Sequence, residues 1–176
     1  MKKQNIIFVS VLAVFILGLL GIRFWYDSKC VKFQDKNMEL QTLYLLDNGR
    51  GRVLKTELPK IERFYVTKTD KRFTTLEDLK LFPNLSRLDL TYETGLMTEE
   101  EAAEFQKQRG GIPQMLSETL PELPNLKELD LTYFDYFENL DFLSECRQIE
   151  DFYIINNDIQ DIQGLKDLTS LRFLDL

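Results

Sequence analysis

Six segments of this chain align without a gap, and no other feature constrains its fold as tightly. They are Leu40-Gln41-Thr42-Leu43-Tyr44-Leu45, Ile61-Glu62-Arg63-Phe64-Tyr65-Val66, Leu85-Ser86-Arg87-Leu88-Asp89-Leu90, Leu126-Lys127-Glu128-Leu129-Asp130-Leu131, Ile149-Glu150-Asp151-Phe152-Tyr153-Ile154 and Leu171-Arg172-Phe173-Leu174-Asp175-Leu176. Each reads apolar-x-x-apolar-x-apolar, and their first positions lie 21, 24, 41, 23 and 22 residues apart. The closing alternation has the period of a strand with one buried face. A unit this short cannot cover its own apolar face, so successive units must stack around a shared core. Leu43, Phe64, Leu88, Leu129, Phe152 and Leu174 then form one internal column. Leu45, Val66, Leu90, Leu131, Ile154 and Leu176 form the next.

The fifth unit displays the whole period, running Ile149, Phe152, Ile154, Asn157, Ile159, Ile162, Leu165 and Leu168 before restarting at Leu171. On these residues the chain resembles the leucine-rich repeat family, in its short class of roughly 22 residues found in bacterial internalin-like proteins. The resemblance covers about residues 37–176. It implies an α/β fold, a solenoid of about five and a half repeats with a parallel concave sheet. It also places Asn157 and Asn48 at the family's ladder asparagine, whose side chain satisfies backbone groups at the turn after each strand. Thr69 substitutes in part, whereas Glu93 and Phe134 depart from the pattern and break the ladder in mid-array. Cys146 takes the position held by Leu58, Phe82, Leu123 and Leu168, which makes it a small core hydrophobe. Cys30 lies before the first repeat, several stacked units from Cys146 and too far for a bridge to it.

The 41-residue interval carries an insertion, assigned to about residues 94–120. Thr98-Glu99-Glu100-Glu101 is a capping box, and Gly110-Gly111 stops the helix it opens. A second short helix starts at Pro113 and runs toward Leu120. The insertion belongs on the convex or side face. A degenerate extra repeat around Ile112 and Met115 would instead put Ser117 in the core.

Upstream of the repeats the chain changes character. Nothing from Gln4 to Ile22 is charged, and residues 6–26 form a 21-residue apolar and aromatic stretch, close to the ~20 residues that span a bilayer. Trp25 and Tyr26 read as an interfacial aromatic belt, and Arg23 lies near enough to the end to snorkel. The run is longer than an ordinary signal-peptide core, and no small-x-small cleavage site follows it. The sequence therefore predicts one transmembrane helix, a signal-anchor over residues 1–26. A linker or N-terminal cap over 27–36 and the repeat domain over 37–176 complete the chain. Lys2 and Lys3 favour an inside N-terminus, while Arg23, Lys29, Lys32 and Lys36 oppose it. The short leader before one hydrophobic segment decides for a single-pass membrane protein with an extracytoplasmic repeat domain.

The chain has no histidine, which excludes a Ser-His-Asp triad, a Cys-His dyad and any histidine-containing zinc site. Two cysteines make neither a four-cysteine metal cluster nor a disulfide framework. The Glu99–Glu101 run lacks calcium-loop spacing, and Gly49-Arg50-Gly51-Arg52 lacks phosphate-loop spacing. A stacked repeat this short offers no deep pocket in which to raise a carboxylate's pKa. The expectation is a non-enzyme without metal or cofactor. There are 29 acidic and 22 basic residues, and the first 26 residues hold three of the bases and no acid. The presented domain therefore carries 29 against 19, a net charge of −10, which argues against nucleic acid.

The remaining strand positions define the expected function. Tyr44, Tyr65, Asp89, Asp130, Tyr153 and Asp175 lie between the last two apolar positions of each segment. Thr42, Arg63, Arg87, Glu128, Asp151 and Phe173 come one step earlier, and Tyr92 and Tyr133 follow the strands. Tyrosines among charges on a rigid surface suit protein recognition, because Tyr buries a large area at small entropic cost. The assigned binding face comprises Tyr44, Arg63, Tyr65, Arg87, Asp89, Tyr92, Glu128, Asp130, Tyr133, Asp151 and Tyr153. Arginines lie early and acids late, so a partner with a basic patch opposite the later repeats is complementary. The reading is a membrane-anchored repeat protein that binds another protein through its concave face. The alternatives are an envelope scaffold without a discrete partner, or a truncated or decayed repeat protein, the chain ending on Leu176 in mid-strand.

Overall fold

The computed structural model describes residues 2–47, 49–66, 73–90, 111–132 and 137–176, with side chains from residue 16 onward. Apolar residues recur every third position before each strand, as in Leu79, Phe82, Leu85, Leu88 and again in Leu120, Leu123, Leu126, Leu129. A spacing of three is the period of a 3-10 helix, which stacks such side chains on one face. Short 3-10 turns form accordingly at Lys55–Lys60, Glu77–Leu81, Leu120–Glu122, Asp141–Leu143 and Gln163–Leu165. The chain then extends into three-residue strands, β1 Arg63–Tyr65, β2 Arg87–Asp89, β3 Glu128–Asp130, β4 Asp151–Tyr153 and β5 Phe173–Asp175.

These strands form one parallel sheet in chain order, β1-β2-β3-β4-β5. The register repeats the sequence alignment: Phe64, Leu88, Leu129, Phe152 and Leu174 pair in one row. Each unit hangs on the carbonyls of the one before. Ser86, Lys127, Glu150 and Arg172 donate their backbone N–H to Glu62, Ser86, Lys127 and Glu150 at 2.7–2.8 Å.

The core lies between the sheet and the 3-10 turns. Phe64, Leu88, Leu129 and Phe152 are fully buried at 0% exposure, and Leu90, Leu131 and Ile154 fill the second column. Each such side chain contributes about 1.5–3 kcal/mol of burial. Cys146 is buried in this core, unbridged like Cys30. Gly164 marks a close approach of two units, because a Cβ there would lie 1.9 Å from the Leu140 carbonyl oxygen. In the last unit Leu174 and Leu176 are exposed instead of enclosed.

The first segment does not become a strand. Residues Lys36–Leu45 form a helix, α2, following the longer helix α1 at Lys2–Lys29. Asp35 caps α2, accepting from the backbone N–H of Asn37 and Met38 at 2.7 and 2.9 Å. Helical geometry turns Met38, Gln41 and Thr42 inward and leaves Leu40 and Tyr44 exposed. Leu43 and Leu45 end half-buried rather than in the strand columns. The carboxylates of Asp35 and Asp78, both buried, tie this helix to the next unit. Asp35 also accepts from the Thr74 hydroxyl at 2.6 Å, and Asp78 from the N–H of Gln34 and Asp35 at 2.9 and 2.7 Å.

Of the insertion, Gly111–Thr119 is a helix, here α3, packed against the 3-10 turns at Glu77–Leu81 and Asp141–Leu143. Its inward residues Leu116 and Thr119 are buried, and Ser117 is exposed. The Thr98 capping box, like Asn48, Thr69, Glu93 and Phe134, falls outside the described residues.

Helix α1 presents exposed apolar side chains from Ile16 to Tyr26, with Phe24 at 78% and Trp25 at 62%. Its end joins the first unit through the Arg52–Asp27 ion pair and the Val31 N–H to Val53 carbonyl bond at 2.8 Å. Among the described residues no helix is long and apolar enough to cross a membrane.

Candidate binding face

A three-residue strand with a buried centre turns its two flanking side chains to the opposite face. The register then assembles two rows, in which Arg63 and Phe173 are exposed and the other residues half-buried. Arg63, Arg87, Glu128, Asp151 and Phe173 make the first, and Tyr65, Asp89, Asp130, Tyr153 and Asp175 the second. Eight of the assigned residues therefore share one surface: Arg63, Tyr65, Arg87, Asp89, Glu128, Asp130, Asp151 and Tyr153.

Tyr44 is a correction. It sits exposed on α2, not on the sheet, because residues Lys36–Leu45 wind into a helix. Tyr92 and Tyr133 lie outside the described residues. Phe173 belongs to the face although sequence reasoning left it unassigned; its shared row with Arg63 was the available signal.

The charges on the face are paired unevenly. Arg63 meets Asp89 at 3.8 Å and lies 5.4 Å over the Tyr65 ring. Arg87 pairs with Glu128 at 2.6 Å. At the other end Tyr153 and Phe173 pack ring to ring at 5.0 Å. Asp130 accepts from the Thr132 N–H and hydroxyl at 3.0 and 2.6 Å. Beside the face, Glu150 bridges Lys127 at 3.0 Å and Arg172 at 2.7 Å. The Lys127 hydrogen bond chiefly holds the Glu150 carboxyl below its ordinary value, against the opposing effect of burial.

Side-chain amides fix the units that carry these residues. Gln41 donates to the Tyr65 carbonyl at 2.6 Å, so α2 takes a backbone acceptor at the β1 end of the sheet. Asn157 donates to the Leu131 and Ile154 carbonyls at 3.2 and 3.0 Å, the bonds of a ladder asparagine. A second set was not anticipated. Asn84 and Asn125 donate at 2.8 Å to Pro59 and Pro83 of the preceding units, and Gln148 to Leu120 at 2.8 Å. The repeated Pro-Asn before Leu85 and Leu126 was the signal for it.

Burial pushes the Cys146 thiol, the one thiol within the repeats, up to about 12, which disfavours its reactive thiolate. Among the described residues no three His, Cys, Asp or Glu side chains are grouped to hold a metal ion.

No family model matches the chain, and no curated protein does. Among solved structures it is similar to internalin C2 of Listeria monocytogenes, with 18% identity and a TM-score of 0.55. That match covers 81% of this chain and 54% of the internalin, so the chain spans about half the length of that relative. A second internalin of the same organism, inlF, aligns at 16% identity and a TM-score of 0.47, covering 81% of this chain and 43% of that one. At this identity the likeness concerns the fold, an internalin-like leucine-rich repeat solenoid.

Proposed function

We propose that the chain is a membrane-anchored protein that binds another protein through the open face of its repeat sheet. The observation that carries the reading is the pair of rows, half-buried to exposed, on the open face of the sheet. Five strands in fixed register present tyrosines and charges on a scaffold ordered before any partner arrives. Preorganised aromatic side chains lose little entropy on binding, which is what a recognition surface requires. Catalysis has no comparable support, as the chain lacks histidine and its core thiol is buried.

Residues 6–26 supply the anchor in this reading. The support for it is the sequence, a 21-residue apolar and aromatic stretch close to the ~20 residues that span a bilayer. Phe24 and Trp25 then lie at the interface, and the repeat domain faces the extracytoplasmic side.

Replacing Tyr65 and Tyr153 together with alanine tests the reading. Capture of the partner from native membranes should fall while the circular dichroism spectrum stays unchanged. Undiminished capture would remove the sheet face from the account.

A further inference from the structure

One arrangement occurs twice on the open face, and among the described residues a guanidinium lies over the ring in only the first copy. On β1 and β2, Tyr65 stands beside Asp89 in the same row. Arg63 fills the site they make, 5.4 Å over the tyrosine ring and 3.8 Å from the carboxylate. On β4 and β5, Tyr153 stands beside Asp175 in that row. The residue corresponding to Arg63 is here Asp151, so the second site gains a carboxylate where the first has its cation.

Carboxylates predominate around this second site. Asp130 flanks Tyr153 from β3, and Asp151 flanks Phe173 from β4. Arg172, beside the site, pairs with Glu150 at 2.7 Å and more loosely with Asp151 at 3.9 Å, which leaves Asp130 and Asp175 without a basic partner among the described residues. Residues 128–176 contain 12 acids and three bases. An aromatic pair at 5.0 Å bordered by three carboxylates attracts a planar cation by ring quadrupole and charge together.

We infer that the later half of the face, β3 to β5, docks an arginine-bearing segment of the partner protein. One arginine lies over Tyr153 and Phe173 and is met by Asp151 and Asp175, repeating what Arg63 does within the chain. Arginine is favoured over lysine because its guanidinium is flat, stacks on rings and engages carboxylates with two donors. The inference rests on the proposed function and names the chemistry of its partner.

The test uses the full-length chain in detergent micelles and three dye-labelled extended hexapeptides. They alternate threonine with arginine, lysine or the neutral arginine isostere citrulline, and fluorescence anisotropy reads their binding. The arginine peptide should bind about tenfold tighter than either of the others. Asp151→Arg rebuilds the filled arrangement of β1 and should abolish binding. Asp158→Arg makes the same charge change at an exposed position off the face and should cost less than about twofold. Tyr153→Leu keeps the charge and should cost about tenfold, with circular dichroism confirming the fold of every variant.

Equal losses at Asp151 and Asp158 would reduce the effect to bulk charge and overturn the inference. So would equal affinity for the arginine and lysine peptides, or no binding at all. The broader reading falls separately, if partner capture survives loss of Tyr65 and Tyr153. Capture that needs those tyrosines without any arginine preference defeats only the present inference.

Discussion

The two ends of the repeat array reach order by different means. At the early end β1 has helix α2 beside it, and side chains distant in sequence make the closure. Asp35 reaches Thr74, Asp78 reaches the backbone before α2, and Gln41 takes the Tyr65 carbonyl. At the late end the backbones themselves meet. Gly164 lies against Leu140, and Asn157 binds carbonyls of its own and the preceding unit. Charge divides along the same line, since residues 27–66 hold eight bases and six acids, whereas residues 128–176 hold three and 12. A parallel stack can therefore be terminated by polar side chains at one end and propagated by close packing at the other. The balanced end pairs its arginines internally, and the acidic end carries more carboxylates than bases to pair with them.

The largest effects should come from the row shared by both ends. Phe64→Ala and Phe152→Ala each remove a fully buried ring and should cost about 3–5 kcal/mol in urea unfolding. A loss at Phe152 far below that at Phe64 would mean that the late units unfold apart from the early ones. Gly164→Ala drives a methyl into the Leu140 carbonyl and should cost about 1–3 kcal/mol. Hydrogen exchange should place that damage around residues 138–165 and spare β1.

The early end should answer to pH. Burial pushes the Asp35 carboxyl up, but hydrogen bonds from Thr74, Met38 and Asn37 outweigh it and hold it below its ordinary value of 3.8. Its stabilisation is therefore complete above that value and is lost as pH falls through the lower, folded one. Asp35→Asn should cost about 1–2 kcal/mol near neutral pH, with wild-type and variant urea midpoints converging in acid. Gly164→Ala should instead keep a constant offset across the series. Smallest are Asn84→Ala and Asn125→Ala, at about 0.5–1.5 kcal/mol each, because both amides are exposed. A zero effect at both would demote this set of bonds to decoration.

Much of this was legible in the sequence, for a definite reason. The gapless alignment of the last five segments is the strand register itself, so Arg63, Arg87, Glu128 and Asp151 could be assigned to one row from spacing alone. The first segment misled because Leu40 and Leu43 fit helical and strand-like spacing equally well. Asp35 ahead of an unbroken run free of Gly and Pro was the helix signal that distinguishes the two. The Asp78 contact with Asp35 was beyond reach, since it joins residues 43 apart that follow no repeat. Phe173 stands in the Arg63 row by spacing alone, and its packing on Tyr153 is what joins it to the candidate site.

The central claim is that the open sheet face, and not the back of the solenoid, meets the partner. Benzoylphenylalanine at Tyr153 keeps an aromatic ring on that face, and the same residue at exposed Glu145 reports from beside the 3-10 turns. Irradiated in native membranes, the full-length chain should give one discrete crosslinked protein from position 153 and none from 145. The same product from both positions, or a product from 145 alone, would contradict the account.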